Sequence, residues 1–590
     1  MRLLAVLAVV IQAPLQGDIS PDSAEALRDR ARAAERAYEF LLRSMAPSRF
    51  GTASSDRCDE VVGRFCLRYE GSGTRRSDPE VPGKVISARQ LAVEMLRQAF
   101  AVFPHDISTA GPLLRYLVED GRAEEALAAA RAFTWASGDS VWGPLLEGYA
   151  LHATGDDSTA EARFDQALAR IPREARRRFE RVSYLVALKE RKVYDALMDA
   201  EQEIYEEALW RLSDPLYLTP GNERRVEHIA RHVWSRLLSD APVVYRMQRW
   251  DDDLEQLTVR YGVPSSRERL VNWSAMISET MVEYFDPDQL AYVPETLRTE
   301  GFPGAPPPGD PWPLDNERAR SGFAVRSIRR LVHLDHQTSR FPVGDSVVLR
   351  VDGALAFDSA ADPRSGVRAA LFLLDRDYRH SQRQDGAARI SGDTATATFE
   401  AVLPAERVVY SLELLEPESR LAGRARYAID LSEISGPGLL LSDIVVAHPY
   451  GGGDLPTGRH DPELRPLTRL VVAPGDTLGL YAEAHRLMPA ADDATHYAVR
   501  LRMRRAAEPA LLARAFGWIG RKLGLSEERE APSLEFEGEG VAGRPAVLAV
   551  DLPLGDLATG LYAIELTVTD LIADRSRSVI RLVRVGEPKR

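Results

Sequence analysis

An acidic cluster is the first group in this sequence whose residue types could support chemistry. Asp251, Asp252, Asp253 and Glu255 directly follow Trp250. Paired carboxylates act as acid and base when their surroundings separate their pKa values, and clustered carboxylate oxygens also suit hard cations such as Ca²⁺. The regular ligand spacing of an EF-hand loop is absent. We therefore interpret the cluster as a turn that is solvated or paired with arginine, and we predict no catalytic residue in it.

Two histidines at helical spacing are the second candidate. His228 and His232 are one helical turn apart, as the two zinc ligands of an HExxH motif are. Glu227 precedes the first histidine instead of following it, so the general base of that motif is missing. We expect both histidines to be exposed, opposite the apolar face of their helix and without a third ligand. No metal site is predicted here.

Three further motifs resemble known sites only formally. Gly538, Gly540 and Gly543 satisfy GxGxxG, but the strand-like run AVLAVDL follows where a dinucleotide site needs the start of a helix, so a hairpin loop explains them. The three glycines at 451–453 lack the lysine of a phosphate-binding loop. His333 and His336 have no further ligands in view, and no GxSxG nucleophile motif is present. The sequence therefore predicts no cofactor, no metal and no enzymatic activity.

The chain has two cysteines, Cys58 and Cys66, which bracket CDEVVGRFC. We place this segment as a short loop between two helical stretches. In an oxidising compartment a local disulfide is the first interpretation, and closing so small a loop would stabilise the fold by roughly 2.5 kcal/mol in the chain-entropy model. Free thiols and a metal pair are the alternatives, although two ligands at this spacing match no zinc pattern.

A repeat of 34 residues provides the first elements that would position these side chains. One unit spans 141–172 and carries small, apolar and turn-forming residues at Gly148, Leu151, Gly155, Ala160, Phe164, Ala167 and Pro172. The period recurs at Gly121 and Ala126, and again at Ala92, Ala99 and Pro104. These positions resemble the tetratricopeptide pattern, which implies helical repeats over 18–172 with a concave face that binds a protein or peptide segment. An irregular alanine-rich bundle is the alternative.

An ordered series of motifs follows between about 208 and 268. It reads W-x3-D-P, T-P-x-N-E, W-x2-D, a strand, and Y-G-x-P, through Trp210, Asp214, Pro215, Thr219, Pro220, Asn222, Glu223, Trp250, Asp253, Tyr261, Gly262 and Pro264. Thr219 is expected to cap a helix that begins at Pro220 and carries Val226, Ile229, Val233, Trp234 and Leu237 on one face. The alternation of Leu257, Val259 and Tyr261 predicts a short strand.

This series is similar to the GWxTD domain of bacterial extracytoplasmic proteins. Arg249, Asp252, Leu254 and Glu255 stand where that family has its initial Gly, its Thr and an Arg-Gly pair, so the chain is a divergent match. The resemblance brings no activity with it. It does imply helical repeats before the domain and a β-rich part after it. We place the domain itself at 173–300.

The C-terminal half is predicted to be β-rich. A Pro-rich linker at 301–320 cannot sustain a helix or a central strand. Short alternating runs then predict a β-sandwich over 321–432 and an immunoglobulin-like β-sandwich over 438–588. A basic amphipathic insertion at 508–525 interrupts the second sandwich. We expect this insertion to pack on its own domain, and peripheral membrane contact is the second interpretation.

Composition and the N-terminus indicate where the protein works. Lys plus Arg number 75 against 88 for Asp plus Glu, and the formal net charge of −13 disfavours nucleic acid and anionic lipid as partners. Arg2 precedes an apolar run over 3–11 that is too short to span a bilayer, so 1–17 is predicted to be a signal peptide. A frayed helix of a cytosolic protein is the alternative. No transmembrane segment is predicted.

The function predicted from these features is that of a non-catalytic periplasmic or secreted protein. It would bind an unknown protein partner, or act as a scaffold, through the helical-repeat groove and the β-sandwiches. The alternative is an envelope hydrolase or a carbohydrate-binding protein that acts on glycans. Convergence of acidic and aromatic side chains in one pocket is the observation that would favour this alternative.

Overall fold

The chain divides into two compact units in a computed structural model, which describes residues 21–45, 49–52, 60–63, 65–69, 81–185, 188–240, 250–262, 266–272, 278–285, 325–357, 366–375, 378–506 and 532–586. The first unit contains the described parts of 1–195 and 220–291, and the second contains those of 196–219 and 325–590. The N-terminal half is helical and the C-terminal part is β-rich, as predicted. The predicted domain 173–300 is divided between the two units. The signal peptide, the Pro-rich linker and the insertion 508–525 lie outside the described residues.

Eleven α-helices lie within the described ranges. They are α1 (Pro21–Met45), α2 (Gly83–Val102), α3 (Ile107–Glu119), α4 (Ala123–Ser137), α5 (Trp142–Thr154), α6 (Asp157–Leu168), α7 (Arg173–Glu180), α8 (Leu188–Asp195), α9 (Asp199–Ser213), α10 (Glu223–Ser239) and α11 (Asp252–Tyr261). All but α9 belong to the first unit. No helix in these ranges is long and apolar enough to cross a membrane.

Helices α1 to α6 pack each against the next around one apolar core. The pair α5 and α6 coincides with the helix-turn-helix unit predicted at 141–172. Gly148 lets the two helices approach, because a Cβ added there would lie 2.5 Å from the ring of Phe164. Gly121 and Gly155, one repeat apart, both have the left-handed φ that favours glycine, at 73° and 89°. The assignment to the tetratricopeptide family stays a prediction.

Helix α10 lies at the centre of the first unit and contacts α3, α5, α6, α7 and α11. Its predicted apolar face is confirmed, since Val226, Ile229, Val233, Trp234 and Leu237 are all buried. The predicted start is wrong by three residues. The cap is Asn222, whose side chain accepts a hydrogen bond of 2.9 Å from the Arg225 amide, whereas the Thr219 hydroxyl donates to the Leu216 carbonyl.

Residues 252–261 form helix α11, so the strand predicted there is wrong. Leu254, Leu257 and Tyr261 follow helical spacing and pack on Val62 and Phe65. Val259 is buried as well, so the helix is covered on more than one face, and this produced the misleading alternation. The helix ends at Gly262, whose φ is 71°.

A five-stranded sheet completes the first unit, in the order β1-β4-β5-β3-β2. Its strands are β1 (Arg49–Thr52), β2 (Glu60–Val62), β3 (Phe65–Tyr69), β4 (Ser266–Asn272) and β5 (Ser278–Phe285). The segment CDEVVGRFC therefore contains an antiparallel hairpin, not the expected loop between helices, because Gly63 turns the chain with a φ of 52° between β-forming residues. Cys66 lies in β3 and Cys58 lies outside the described residues, so the disulfide stays a prediction.

The second unit contains, after helix α9, a β-rich module of two sheets. The strands are β6 (Arg330–His333), β7 (Asp335–Val343), β8 (Ser346–Ala356), β9 (Arg368–Leu374), β10 (His380–Ala387), β11 (Arg389–Ser391), β12 (Thr394–Pro404), β13 (Arg407–Glu416) and β14 (Leu421–Asp430). One sheet has the order β10-β9-β13-β14-β6 and the other β11-β12-β8-β7. Apolar residues from both sheets form one core.

A second β-rich module follows a short 3₁₀ turn at Ser432–Ile434. Its strands are β15 (Leu440–Leu441), β16 (Val445–Ala447), β17 (Val471–Val472), β18 (Thr477–His485), β19 (Ala494–Arg505), β20 (Ser533–Val541), β21 (Ala546–Pro553), β22 (Gly560–Asp570) and β23 (Arg575–Val585). One sheet joins β15, β18 and β16, with β21 paired to β18, and the other has the order β17-β23-β22-β19-β20. These two sheets also share a core. The hairpin loop predicted for the glycines is wrong. Gly538 and Gly540 lie within β20 and only Gly543 lies in the turn after it, and that turn joins two sheets, since β20 pairs with β19 and β21 pairs with β18.

Candidate functional site

A cleft of about 460 Å³ opens in the first unit, with walls from α5, α7, α10 and the start of α11. Its lining combines aromatic, acidic, basic and small side chains. The lining residues are Val141, Trp142, Leu145, Ile171, Ala175, Arg178, Phe179, His232, Ser235, Arg236, Ser239, Trp250, Asp251, Asp252 and Glu255. Part of the predicted acidic cluster thus meets residues that are distant in sequence.

The acidic wall consists of the first turn of α11. Asp251 is the N-cap, and Asp252 and Glu255 follow it on the same turn. Carboxylates are favoured there because the amide dipoles of a helix leave positive charge at its N-terminus. Asp253 does not share this wall, since it packs against the turn at Gly63 and its carboxylate accepts from the Leu254 amide at 2.8 Å. In the described part of the chain, no three His, Cys, Asp or Glu side chains are placed to hold a metal ion.

The opposite walls carry the basic and aromatic groups. Arg178 of α7 lies 3.8 Å from Glu255, and its side chain is two-thirds exposed. Arg236 of α10 is paired with Asp240, the residue that directly follows this helix. Trp142, Phe179 and Trp250 are half-buried around the opening. Sequence reasoning identified Trp250 only as a motif position and missed the other two aromatic residues, because nothing in their local pattern separates a cleft wall from a core.

His232 is a buried polar residue of the cleft lining. It is 6% exposed, and its ring lies 5.6 Å from that of Phe179 and 4.7 Å from that of His228. Within the described ranges, its Nε2 atom has no hydrogen-bond partner. Burial, and then the charge of Arg178, lowers its pKa to about 3, so the imidazole is neutral at physiological pH.

The expectation that both histidines are exposed is wrong. His228 is fully buried, because the helices around α10 cover its polar face as well as its apolar one. Burial, followed by the charge of His232, lowers the pKa of His228 well below its usual value. The two rings meet edge to face at 81°, and neither belongs to a group of ligands for a metal among the described residues.

A second polar cluster, centred on His152, lies inside the first unit. Its Nδ1 is 2.5 Å from a carboxylate oxygen of Asp157, and its Nε2 is 2.5 Å from one of Glu227. Glu227 also accepts from Arg231, whose guanidinium donates to the Arg260 carbonyl at 3.0 Å. Since His152 is 5% exposed, this cluster ties α5, α6, α10 and α11 together and offers no open site.

The W-x3-D-P motif has a structural place in the second unit. Arg424 donates to the carbonyls of Asp214 and Pro215 at 3.1 and 2.9 Å. Arg426 donates to the Asp214 carbonyl at 2.9 Å and pairs with Glu413 at 3.1 Å. The segment after α9 therefore covers one face of the sheet that contains β13 and β14, and buries the charges on that face.

The other positions of the GWxTD-like series also cap and pack. Trp210, Glu223 and Tyr261 are buried, and Gly262 terminates α11. Pro264 lies outside the described residues. Within the described ranges, none of the series except Trp250 lines the cleft.

No protein-family model and no curated protein matches the chain. Among solved structures, a β-glucuronidase of Bacteroides uniformis is 9% identical over 40% of this chain, with a TM-score of 0.17. A calcium-binding mutant of B. uniformis β-glucuronidase 2 is 11% identical over 40% of this chain, with a TM-score of 0.15. The match spans 26% of each glucuronidase chain, and a similarity this low carries no argument about activity.

Proposed function

We propose that the chain is a non-catalytic binding protein of the bacterial envelope, periplasmic or secreted, whose helical unit binds a segment of a partner protein in the cleft. The observation that carries this proposal is the distribution of charge. The three carboxylates of the cleft, Asp251, Asp252 and Glu255, all stand on one turn of α11, while α5, α7 and α10 contribute none to the lining.

This distribution favours binding over hydrolysis. Glycosidases place two carboxyl groups on either side of the bond to be cleaved, about 5 to 9.5 Å apart, so that one acts as acid and the other as nucleophile or base. A single wall of carboxylates cannot flank a bond. The facing groups are Arg178, Arg236 and His232, and the neutral buried imidazole has a pKa of about 3, far below the range that suits a general base at neutral pH.

The finer features of the fold belong to the same proposal. Residues 18–172, which include helices α1 to α6, are taken to be tetratricopeptide-like repeats, and 173–300 a divergent GWxTD-like domain whose motif positions lie between about 208 and 268. The two β-rich modules are taken to be sandwiches, the second of immunoglobulin type. The contacts between these modules support a rigid pair, since Gln337 donates to the Val446 carbonyl at 2.8 Å and Arg340 pairs with Asp443 at 2.9 Å.

A glycan-directed role is the second candidate, and one observation favours it. Acidic and aromatic side chains converge in the cleft, which is the arrangement expected of a site that stacks sugar rings and accepts their hydroxyl hydrogens. A glycan array and an assay for newly released reducing ends, both on the full chain, test this role. Selective glycan binding that Trp142→Ala abolishes would favour it over a protein partner.

Site-specific photocrosslinking tests the protein-binding proposal directly. A benzophenone amino acid replaces Ala175, which lines the cleft and is exposed, and the matched control carries it at Asp345, an exposed position in the second unit. After irradiation in the native envelope, we expect a discrete adduct with one protein from position 175 only, and its loss when Trp142→Ala is added. Equal labelling from both positions, or none from position 175, would count against a partner in the cleft.

A further inference from the structure

We infer that helix α1 is a pH-controlled cover of the helical core, whose second half stays docked while the Glu35 carboxyl holds a proton. Ionisation of Glu35 releases residues 34–45 from the apolar core of the first unit and uncovers the surface beneath them. This device belongs to the fold of the helical unit and is independent of what the cleft binds.

A chain of hydrogen bonds joins α1 to α3. Glu35 and Glu39 lie one helical turn apart on α1, and each is 3% exposed. The Tyr116 hydroxyl of α3 lies 2.9 Å from a carboxylate oxygen of Glu39 and 3.4 Å from one of Glu35. Arg115, which is also on α3 and buried, pairs with Glu39 as well. The shorter contacts of both donors are therefore made with Glu39.

The hydrogens available in this chain place a proton on Glu35. A tyrosine hydroxyl has a single hydrogen, and the shorter distance assigns that of Tyr116 to Glu39. Among the described residues, no cation lies within salt-bridge distance of Glu35, so its ionised form is a buried charge without a close donor or counterion. A protonated carboxyl has one O–H donor, which the Tyr116 oxygen accepts. Neutral Glu35 therefore completes the chain, and ionised Glu35 breaks it.

The other charged groups around this chain have partners of their own. The titratable and charged groups that face Glu35 and its neighbours are Arg32, Tyr38 and Glu39 on α1, Arg89 on α2, and Arg115, Tyr116 and Glu119 on α3. Arg89 pairs with Asp120, and Glu119 accepts a hydrogen bond of 3.1 Å from the Trp234 side chain of α10. Within this group, one buried guanidinium faces two buried carboxylates, which leaves one negative charge in excess when both carboxylates are ionised.

Docking of α1 consequently weakens as pH rises. Burial raises the pKa of Glu35 from 4.5 to about 7, while the charge of Arg115 opposes this shift and that of Glu39 adds to it. The docked helix therefore keeps a proton that the released, solvated helix gives up at lower pH. Because the docked state binds more protons, its advantage is complete below about pH 4.5 and is lost as pH rises through about 7.

The first half of α1 has an anchor that does not involve Glu35. Arg28 pairs with Asp106, the N-cap of α3, at 2.8 Å, and its guanidinium lies 3.6 Å from the centre of the Phe103 ring. Arginine and aspartate ordinarily keep their charges between about pH 5.5 and 8.5. The second half is therefore the part that is released. Its contacts with the core are made by Ala34, Tyr38, Leu41, Leu42 and Met45.

Hydrogen exchange of the full chain at about pH 5.5, 7 and 8.5 tests this device. Rates are expressed as protection factors, which remove the pH dependence of the chemical exchange step. We expect protection of the amides at 34–41 to fall by at least about tenfold between the lowest and the highest pH. At about pH 8.5 it should also be at least about tenfold below the protection at 26–31 and in α5. Protection at 34–41 that does not change with pH, or that equals that of α5 at the highest pH, would overturn the inference.

Two variants assign the effect to Glu35. Glu35→Gln keeps the shape of the neutral carboxyl and a donor for the Tyr116 oxygen, so protection at 34–41 should stay the same within about twofold at all three pH values. Asp29→Asn removes an exposed carboxylate of the same helix and should keep the wild-type pH dependence. A dependence that survives in Glu35→Gln, or that Asp29→Asn abolishes, would refute the assignment to Glu35. The wild-type profile remains a test even if Glu35→Gln does not fold.

Discussion

Arg426 carries the charge that holds the W-x3-D-P segment on its sheet, so removing this side chain tests the architecture directly. Arg426 is wholly buried and donates four hydrogen bonds, to the Leu212 carbonyl at 2.8 Å, the Asp214 carbonyl at 2.9 Å, the Glu413 carboxylate at 3.1 Å and the Ser411 hydroxyl at 3.2 Å. We predict that Arg426→Ala detaches this segment, because no other cation is within salt-bridge distance of Glu413 among the described residues.

The size of the destabilisation in Arg426→Ala depends on the hydrogen bonds that Glu413 retains. Removing one partner of a buried ion pair costs about 3–5 kcal/mol, since the other charge stays buried without compensation. Glu413 keeps hydrogen bonds from the Ser411 hydroxyl at 2.8 Å and the Leu218 amide at 2.9 Å, which argues for the lower end of that range. About 3 kcal/mol corresponds to roughly a hundredfold increase in local opening.

Hydrogen exchange followed by mass spectrometry measures this opening in the full chain. In Arg426→Ala, amides in Ala196–Thr219 and in β13 should exchange roughly a hundredfold faster, while those in Thr477–His485 should not change. The double variant Arg426→Met with Glu413→Gln removes both charges and should be less damaging than Arg426→Ala. Unchanged exchange in Ala196–Thr219, or an equal rise throughout the second unit, would refute the anchoring role.

Three further predictions concern the first unit. Gly148→Val should destabilise it by about 1–3 kcal/mol in urea denaturation, because the added carbons meet the Phe164 ring, and Phe164→Leu in the same chain should restore part of that loss. Asn222→Ala should cost about 1 kcal/mol by removing the cap bonded to the Arg225 amide, whereas Asn222→Asp should not; equal losses would contradict the cap. Burial raises the pKa of Glu35 from 4.5 to about 7, so the folded state holds a proton that the unfolded state loses between these values, and stability should fall as pH rises through this window. Above this window, at pH 8, the ionisation of Glu35 should lower the free energy of unfolding by up to about 3 kcal/mol, and Glu35→Gln should remove most of this pH dependence. A variant whose melting temperature varies with pH as that of the wild type does would contradict the prediction.

The helical half was predictable where spacing alone decides the outcome. Gly121 and Gly155 mark turns one repeat apart, and Val226, Ile229 and Val233 lie on a buried face of α10 as their 3.6-residue spacing indicates. These features depend on local contacts between neighbouring helices, which sequence periodicity records directly.

The errors have a different physical origin. Alternation at Leu257, Val259 and Tyr261 predicts a strand only if one face is exposed, and α11 is covered on more than one face. The exposure expected for His228 failed for the same reason, because tertiary packing covers the polar side of α10. Periodicity reports how many faces of an element are apolar, but it does not report how many are buried.

The cleft was only partly predictable. The sequence identifies Asp251, Asp252 and Glu255 as a group, but Trp142 and His232, which line the same cleft, come from other helices. Their meeting depends on the long-range packing of α5, α7 and α10 around α11, which no local spacing contains. The sequence predicts a solvated or arginine-paired turn for the acidic cluster, whereas the structure places it in the first turn of α11, where the helix N-terminus stabilises the negative charge.

The position of Ala196–Thr219 constrains how such a chain can be recombined during evolution. This segment packs with the second unit although residues of the first unit flank it on both sides in sequence. A β-rich half transferred at the Pro-rich linker would leave this segment behind and expose Glu413, Arg424 and Arg426 on the donor sheet. An inherited exchange of the C-terminal half therefore requires two breakpoints, or a compensating loss of those three charges.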